Sequence, residues 1–287
     1  MNPARGAVPA TSIEVRISRD VTLPGRAWCA ESPRALIAVL HGLGEHSGRY
    51  AALAESLVRA SYTVVALDLP GHGEARGARG DMDWAATRDA AVPAMFTASR
   101  GLPGQPMELP RVLLGHSMGA VMALDYAFSH ARSLMACVAS APALKSAPPP
   151  WWKLALANVA KVSAPGIGFP HGLEEAGMSR DSEVLNQRKT DPLMHDRITP
   201  RLYFAFTEAC QRVMNEARRL QVPTLLLQGA ADRVIDPKGA LEFNGAAPHG
   251  MTRLETMKDG YHEVFNDLSR DEAIKVLIAW LDAVRVV

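Results

Sequence analysis

The stretch Arg111-Val-Leu-Leu-Gly-His-Ser-Met-Gly-Ala120 constrains this chain more than any other. Val112, Leu113 and Leu114 form a short apolar run of the kind carried by a strand buried on both faces. Gly115-His116-Ser117-Met118-Gly119 then fits the pattern G-x-S-x-G, and Ala120-Val-Met-Ala-Leu-Asp-Tyr-Ala127 continues in residues that favour a helix. Strand, sharp turn and helix in that order hold the middle residue of the motif in a strained backbone conformation at the top of a sheet. Glycines two residues before and two after it let strand and helix pack with no Cβ between them. The stretch therefore predicts an exposed serine hydroxyl above the end of a buried strand.

The rest of the chain supplies the units such a sheet needs. Residues 12–18 alternate apolar and polar, and 26–30 are short and mostly apolar, with the turn signal Leu23-Pro24-Gly25 between them. They read as an antiparallel hairpin at a sheet edge. Continuous apolar runs at 35–40 and 62–67 read as central strands, followed by helices over 49–60 and 84–98. Strands are expected again at 134–139, 222–229 and 251–257, with helices beginning near 237 and over 271–284. Alternating βα units of this kind imply an α/β fold with a mainly parallel central sheet and helices on both faces.

That rhythm breaks over residues 143–217, where no clear strand appears. The segment opens with Pro148-Pro-Pro150 and the apolar helix pattern Trp151-Trp-Lys-Leu-Ala-Leu-Ala-Asn-Val-Ala160. Pro165-Gly-Ile-Gly168 and Arg188-Lys-Thr-Asp-Pro192 punctuate it, and 201–218 looks helical. A structureless loop of this length is improbable in a compact domain. The reading is a helical cap inserted at 143–217 into a core domain formed by 1–142 and 218–287.

Composition narrows the classes of function. With a net charge of +1 and no long basic run, the chain has no nucleic-acid footprint. Cys29, Cys137 and Cys210 are scattered without metal-ligand spacing, so they read as reduced core thiols, and neither a metal nor a cofactor is expected. The first ten residues lack the apolar run of a secretory signal and no stretch is long enough to span a membrane, which suggests a cytoplasmic protein.

A serine hydroxyl needs a base, a group to orient that base, and donors for the developing oxyanion. The G-x-S-x-G turn after a buried strand resembles that of the α/β-hydrolases, and the resemblance implies that the acid and then the histidine follow the serine along the chain. Of the nine histidines only His249 and His262 lie beyond the strand expected to carry the acid. His249 precedes the last strand and reads as a solvated loop residue. His262, in Asp259-Gly-Tyr-His-Glu263, follows the last strand, on the edge where open sheets form their sites. The acid lies in Ala230-Ala-Asp-Arg-Val-Ile-Asp-Pro237, where Asp232 is nearer the strand end and Asp236, just before Pro237, reads as a helix cap. Met118, after the serine, and Leu43, in the loop His41-Gly-Leu-Gly44, are the expected backbone donors.

Taken together, His41-Gly-Leu-Gly-Glu-His-Ser-Gly-Arg-Tyr50, Asp68-Leu-Pro-Gly-His-Gly73, Gly115-His-Ser-Met-Gly119, Asp232-Arg-Val234 and Tyr261-His262 resemble the monoacylglycerol lipase and lysophospholipase branch of the α/β-hydrolases. The resemblance covers most of the chain outside the insertion. It implies a serine hydrolase with Ser117, Asp232 and His262 as triad, Leu43 and Met118 as oxyanion donors, and a helical cap after the sixth strand. It also implies that Glu45 and Arg49 lie near the polar head of the substrate. Two positions depart from the pattern. Ala120 stands where a second glycine is usual, and Phe265 stands where monoacylglycerol lipases often carry a histidine that helps bind glycerol.

The function expected on this resemblance is cleavage of carboxylic esters of lipid-like substrates, monoacylglycerols or related monoesters, through an acyl-enzyme on Ser117. Short-chain carboxylesterase, lysophospholipase, thioesterase and peptidase share the same triad. A ligand-binding protein that kept the fold is the non-enzymatic alternative, and such proteins usually lack a triad member. Trp151 and Trp152, at the start of the cap, are candidates for an acyl-binding wall or for contact with a membrane surface. Packing of the cap on the core is the competing role.

Overall fold

The computed structural model describes residues 8–146 and 150–284, without the side chains of Trp152 and Lys153. Eight strands form the main sheet: β1 (Thr11–Arg16), β2 (Thr22–Trp28), β3 (Ala35–Leu40), β4 (Tyr62–Leu67), β5 (Arg111–His116), β6 (Ala136–Ser140), β9 (Thr224–Gly229) and β10 (Thr252–Met257). The two-residue strands β7 (Phe169–Pro170) and β8 (Arg197–Ile198) pair separately. The helices are α1 (Ala51–Arg59), α2 (Trp84–Ala98), α3 (Met118–His130), α4 (Trp151–Ser163), α5 (Ser182–Thr190), α6 (Pro200–Glu216), α7 (Lys238–Ala246) and α8 (Arg270–Val284).

Strand order is β1-β2-β4-β3-β5-β6-β9-β10. β2 runs antiparallel to both β1 and β4, and every other neighbouring pair is parallel. After β3 the chain first adds β4 on one side and then β5 on the other. The carboxyl ends of β3 and β5 therefore flank a topological switch point, where open sheets of this class open a crevice.

The uninterrupted apolar runs are explained by burial on both faces. Along β3, Leu36, Ala38 and Leu40 join the core on one face, and Ala35, Ile37 and Val39 join the core on the other. The first core is completed by α2, α3 and α6, the second by α1 and α8. Period-two alternation between two buried faces leaves no polar position to mark either side.

Two sequence expectations are corrected here. The first hairpin turns at residues 17–21, where Ile17 N–H donates to Val21 O at 2.9 Å, and Leu23-Pro24-Gly25 lies inside β2. Gly25 is needed for the close approach of β4, since a Cβ there would stand 2.3 Å from Ala66 O. The second concerns Arg188-Lys-Thr190, which form the last turn of α5 rather than an interruption, with Asp191 as its C-cap.

Residues between β6 and β9 carry α4, α5 and α6 and the β7–β8 ribbon. Backbone hydrogen bonds fasten them to loops of the sheet: His195 N to Gly44 O at 3.1 Å, Thr199 N to Gly80 O at 2.9 Å, and Glu263 N to Met178 O at 2.8 Å. Gly44, at φ +76°, must be glycine, because a Cβ there would stand 2.2 Å from His195 O. Among the described residues no helix is long and apolar enough to cross a membrane.

Candidate active site

The turn between β5 and α3 builds the site. Ser117 takes φ 53° and ψ −116°, a strained conformation for a residue with a side chain. The flanking glycines make the turn possible. A Cβ on Gly115 would stand 2.1 Å from Gly119 O, and one on Gly119 would stand 2.2 Å from Leu40 O. The α3 N-terminus thus packs directly on the end of β3, and Ala120, fully buried, lies against Gly115 of β5, where its small side chain fits.

His262 lies in the loop after β10, and its Nε2 is 2.9 Å from Ser117 Oγ. Its Nδ1 is 2.8 Å from Asp232 Oδ2. Asp232 follows β9, and both of its oxygens are engaged. Oδ1 accepts the N–H groups of Val234 at 2.9 Å and Ile235 at 3.1 Å, while Oδ2 also accepts Gln228 Nε2 at 3.0 Å. Burial alone would raise the Asp232 carboxyl, but the hydrogen bond from His262 and the two amides outweigh it and hold it below its ordinary value. The carboxylate therefore stays ionised and keeps the Nδ1 proton of His262 in place, leaving Nε2 free to accept from Ser117. Asp236 instead accepts the Lys238 N–H at 3.0 Å at the start of α7, and His249 lies exposed before β10.

Leu43 lies in the loop after β3, and Met118, the residue after the serine, opens α3. Neither amide donates a hydrogen bond among the described residues. The loop holding Leu43 is fixed by His41, whose Nδ1 donates to Gly42 O at 2.7 Å while Nε2 accepts Leu69 N–H at 3.0 Å. Burial lowers the His41 pKa, so the ring is neutral, as that one-donor, one-acceptor pattern requires. Two free amides at a helix N-terminus and an adjacent loop can receive negative charge developing on a carbonyl oxygen.

Glu45 and Arg49 are drawn into a buried network. Glu45 Oε2 accepts Gly42 N–H at 3.2 Å and the Tyr50 hydroxyl at 3.1 Å, and Arg49 Nη2 donates to Glu263 Oε2 at 2.5 Å. Arg188, from α5, donates to the other oxygen of Glu263 and lies 3.5 Å from Glu45 Oε1. Burial pushes Glu45 up, but His116, Arg188 and Arg49 together pull it well below the carboxylate range. His116 adds a ring contact to His262, with centroids 4.9 Å apart. Sequence reasoning missed Arg188, Glu263, Gln228 and His116. His116 and Gln228 carried a signal, being polar residues at the carboxyl ends of otherwise apolar strands.

Phe265 stands apart from these residues. It is buried in the apolar core shared with α1 and α8 and joins none of the polar contacts above. An aromatic ring without a polar tip gains more from that packing than from a place among buried charges. Trp151 is 81% exposed, and the side chain of Trp152 lies outside the described residues.

A family model described as serine aminopeptidase, S33, matches residues 31–269. The chain is 27% identical over 91% of its length to an uncharacterized abhydrolase domain-containing protein of Dictyostelium discoideum, of whose length it spans 28%. It is 30% identical to a phospholipase of Bacillus subtilis, over 89% of this chain and 98% of that protein. To a monoacylglycerol lipase of Mycolicibacterium smegmatis it is also 30% identical, over 93% of each. The crystal structure of a Paleococcus ferrophilus monoacylglycerol lipase superposes with a TM-score of 0.82 at 32% identity, covering 91% of this chain and 99% of that one. With the strained serine turn and the sheet order above, these likenesses establish that the chain has the α/β-hydrolase fold and belongs to the serine aminopeptidase S33 family of hydrolases.

Proposed function

We propose that this protein is a serine hydrolase that cleaves carboxylic esters of lipid-like substrates, monoacylglycerols or related monoesters. The observation that carries the proposal is the hydrogen-bonded chain from Ser117 Oγ through His262 to Asp232, at 2.9 and 2.8 Å. His262 Nε2 takes the hydroxyl proton as Ser117 Oγ attacks the ester carbonyl. The oxyanion is received by the Leu43 and Met118 N–H groups. The imidazolium, stabilised by Asp232, gives its proton to the departing alkoxide and leaves an acyl-serine. A water, deprotonated by the same nitrogen, then releases the acid. The relatives named for ester cleavage of lipids point to the substrate class.

In this reading residues 143–217 form the cap. Its helix α4 and the turn after it leave Trp151, Leu156, Val159, Val162, Ile167 and Phe169 exposed. If this segment covers the serine, these exposed apolar residues suit contact with the lipid aggregate that delivers the substrate. Replacing Trp151 and Val162 together by Ser is expected to weaken sedimentation with phosphatidylcholine vesicles while sparing hydrolysis of water-dissolved short esters. Equal binding of parent and variant to vesicles would refute that contact.

The central test is labelling and turnover. A fluorophosphonate probe is expected to label the parent chain at Ser117 and not Ser117→Ala, and the variant is expected to lose on the order of 10⁶ in kcat on a monoacylglycerol. A panel of p-nitrophenyl esters of rising acyl length separates a lipid-monoester hydrolase from a short-ester one. Labelling at another residue, or hydrolysis surviving in Ser117→Ala, would overturn the reading.

A further inference from the structure

Arg188 takes no part in the chemistry above and makes no hydrogen bond to Ser117, His262 or Asp232 among the described residues. It is nevertheless only 6% exposed, although it comes from the last turn of α5. Its guanidinium meets carboxylates from three separate segments. Nη1 donates to Glu263 Oε1 and lies 3.5 Å from Glu45 Oε1, while Nε and Nη2 lie 3.2 and 3.4 Å from the two oxygens of Glu175.

Two of those carboxylates belong to the loops that carry the chemistry. Glu45 stands two residues after Leu43 and holds that loop through the Gly42 N–H and the Tyr50 hydroxyl. Glu263 is the residue after His262. Its second oxygen accepts Arg49 at 2.5 Å and Asn266 Nδ2 at 3.0 Å, and its N–H donates to Met178 O at 2.8 Å. Glu263 is 2% exposed and Glu45 is 4% exposed, so water screens neither.

We propose that Arg188 is a positioning residue: by clamping Glu45 and Glu263 from the cap side, it sets the spacing between the Leu43 amide and His262 and so assembles the site only when the cap is docked. This rests on the reading of Ser117, His262 and Asp232 given above. A planar guanidinium with five donors reaches several carboxylates at once, whereas a lysine ammonium is a single point charge that satisfies one well. Without Arg188, Arg49 remains on Glu263 and only the His116 ring, with Nε2 3.8 Å from Glu45 Oε1, stays beside Glu45, so the two buried carboxylates lose the cation they share. Their repulsion is then relieved by separation of the two loops or by proton uptake on one carboxyl.

The test compares Arg188→Lys and Arg188→Met with the parent on p-nitrophenyl acetate, a substrate too short to use an acyl wall. Rates are expressed per Ser117 titrated with the fluorophosphonate probe. A shift of about 1 Å between catalytic groups costs about 100-fold, which is the expected fall in kcat for Arg188→Met, with about tenfold for Arg188→Lys and KM little changed in both. The activity of Arg188→Met relative to the parent is expected to rise as pH falls from about 8 to about 6, because protonating one carboxyl relieves the repulsion. Adding Glu263→Gln to Arg188→Met is expected to restore part of kcat for the same reason.

The proposal is overturned if both variants keep kcat per titrated site within about threefold of the parent while melting at a lower temperature, since Arg188 would then only fasten the cap. A raised KM at unchanged kcat overturns it too, as the mark of a substrate contact. Should Arg188→Met not fold, Arg188→Lys, which keeps the charge, decides by the same criteria. Absence of probe label on Ser117 in the parent chain would instead overturn the reading of the site, whatever the Arg188 variants do.

Discussion

Replacing Gly119 by alanine tests the packing that creates the serine turn. The added Cβ would stand 2.2 Å from Leu40 O, 2.5 Å from His41 O and 2.7 Å from Leu40 C, all of them backbone atoms at the end of β3. None of these can swing aside as a flexible side chain would. To reach ordinary van der Waals separation the first turn of α3 must recede from β3 by about 1 Å. Overpacking of this kind costs about 1–3 kcal/mol of stability. The same movement carries Ser117 and the Met118 amide away from His262 and Leu43, and a misplacement of about 1 Å costs about 100-fold in rate. Urea unfolding and kcat/KM on a p-nitrophenyl ester measure the two effects. Gly245→Ala is the control: in α7 its Cβ would meet nothing within 4 Å, so the variant is expected to gain about 0.5–1 kcal/mol and keep full activity. If Gly119→Ala folds with parental stability and a kcat/KM within about threefold of the parent, the close contact between α3 and β3 is not what presents the serine.

Asp232→Asn is expected to lower kcat about 10⁴-fold, because the amide cannot accept from both Gln228 and His262 at Oδ2 and from two backbone amides at Oδ1, and the imidazole proton moves to the nitrogen that should accept from Ser117. Asp236→Asn, which keeps an acceptor for the Lys238 N–H, is expected to leave turnover unchanged and cost less than about 1 kcal/mol in urea unfolding; an inactive Asp236→Asn with an active Asp232→Asn would reverse the assignment. Acid is expected to destabilise the fold through His72 and His195, whose rings lie 4.8 Å apart. Burial holds His72 well below its ordinary value, and burial with nearby Arg79, His171 and His41 brings His195 to about 4. Between the ordinary histidine value near 6.5 and that lower value the unfolded chain binds protons the folded chain refuses, so stability falls with falling pH through this window. His195→Gln is expected to make the loss between pH 7.5 and pH 5 smaller by about 1 kcal/mol, after allowing for solvent screening of a partly exposed ring, and an unchanged pH dependence would refute it.

What was legible in the sequence was local, and what was not legible was paired across distance. The β5 turn could be read because its geometry demands particular residues at fixed spacing: a Cβ at Gly115 or Gly119 collides with backbone, so those positions announce the turn without any tertiary knowledge. His262 and Asp232 could be placed because strand ends in a parallel sheet are countable and the site must lie on their carboxyl edge. The same glycine logic failed at Gly25, since a glycine required for the approach of β4 is indistinguishable, in a single sequence, from one required for a turn. Arg188 illustrates the deeper obstacle. As a sequence feature it is one more arginine in a polar helix, and one of the carboxylates that meet it, Glu45, stands 143 residues away in the chain. A charge is sent into the interior only where an opposite charge already waits, and that condition is a property of the assembled fold rather than of either neighbourhood. The surface character of α4 is hidden for the opposite reason. An apolar periodicity promises a buried face, but Trp151, Leu156, Val159 and Val162 are exposed, which in the proposed reading suits contact with a lipid surface. Buried ions and exposed hydrophobes are thus the two places where composition misleads. In this protein Arg188 and the exposed residues of α4 both fall between β6 and β9, the segment that covers the serine and meets its substrate in the proposed reading.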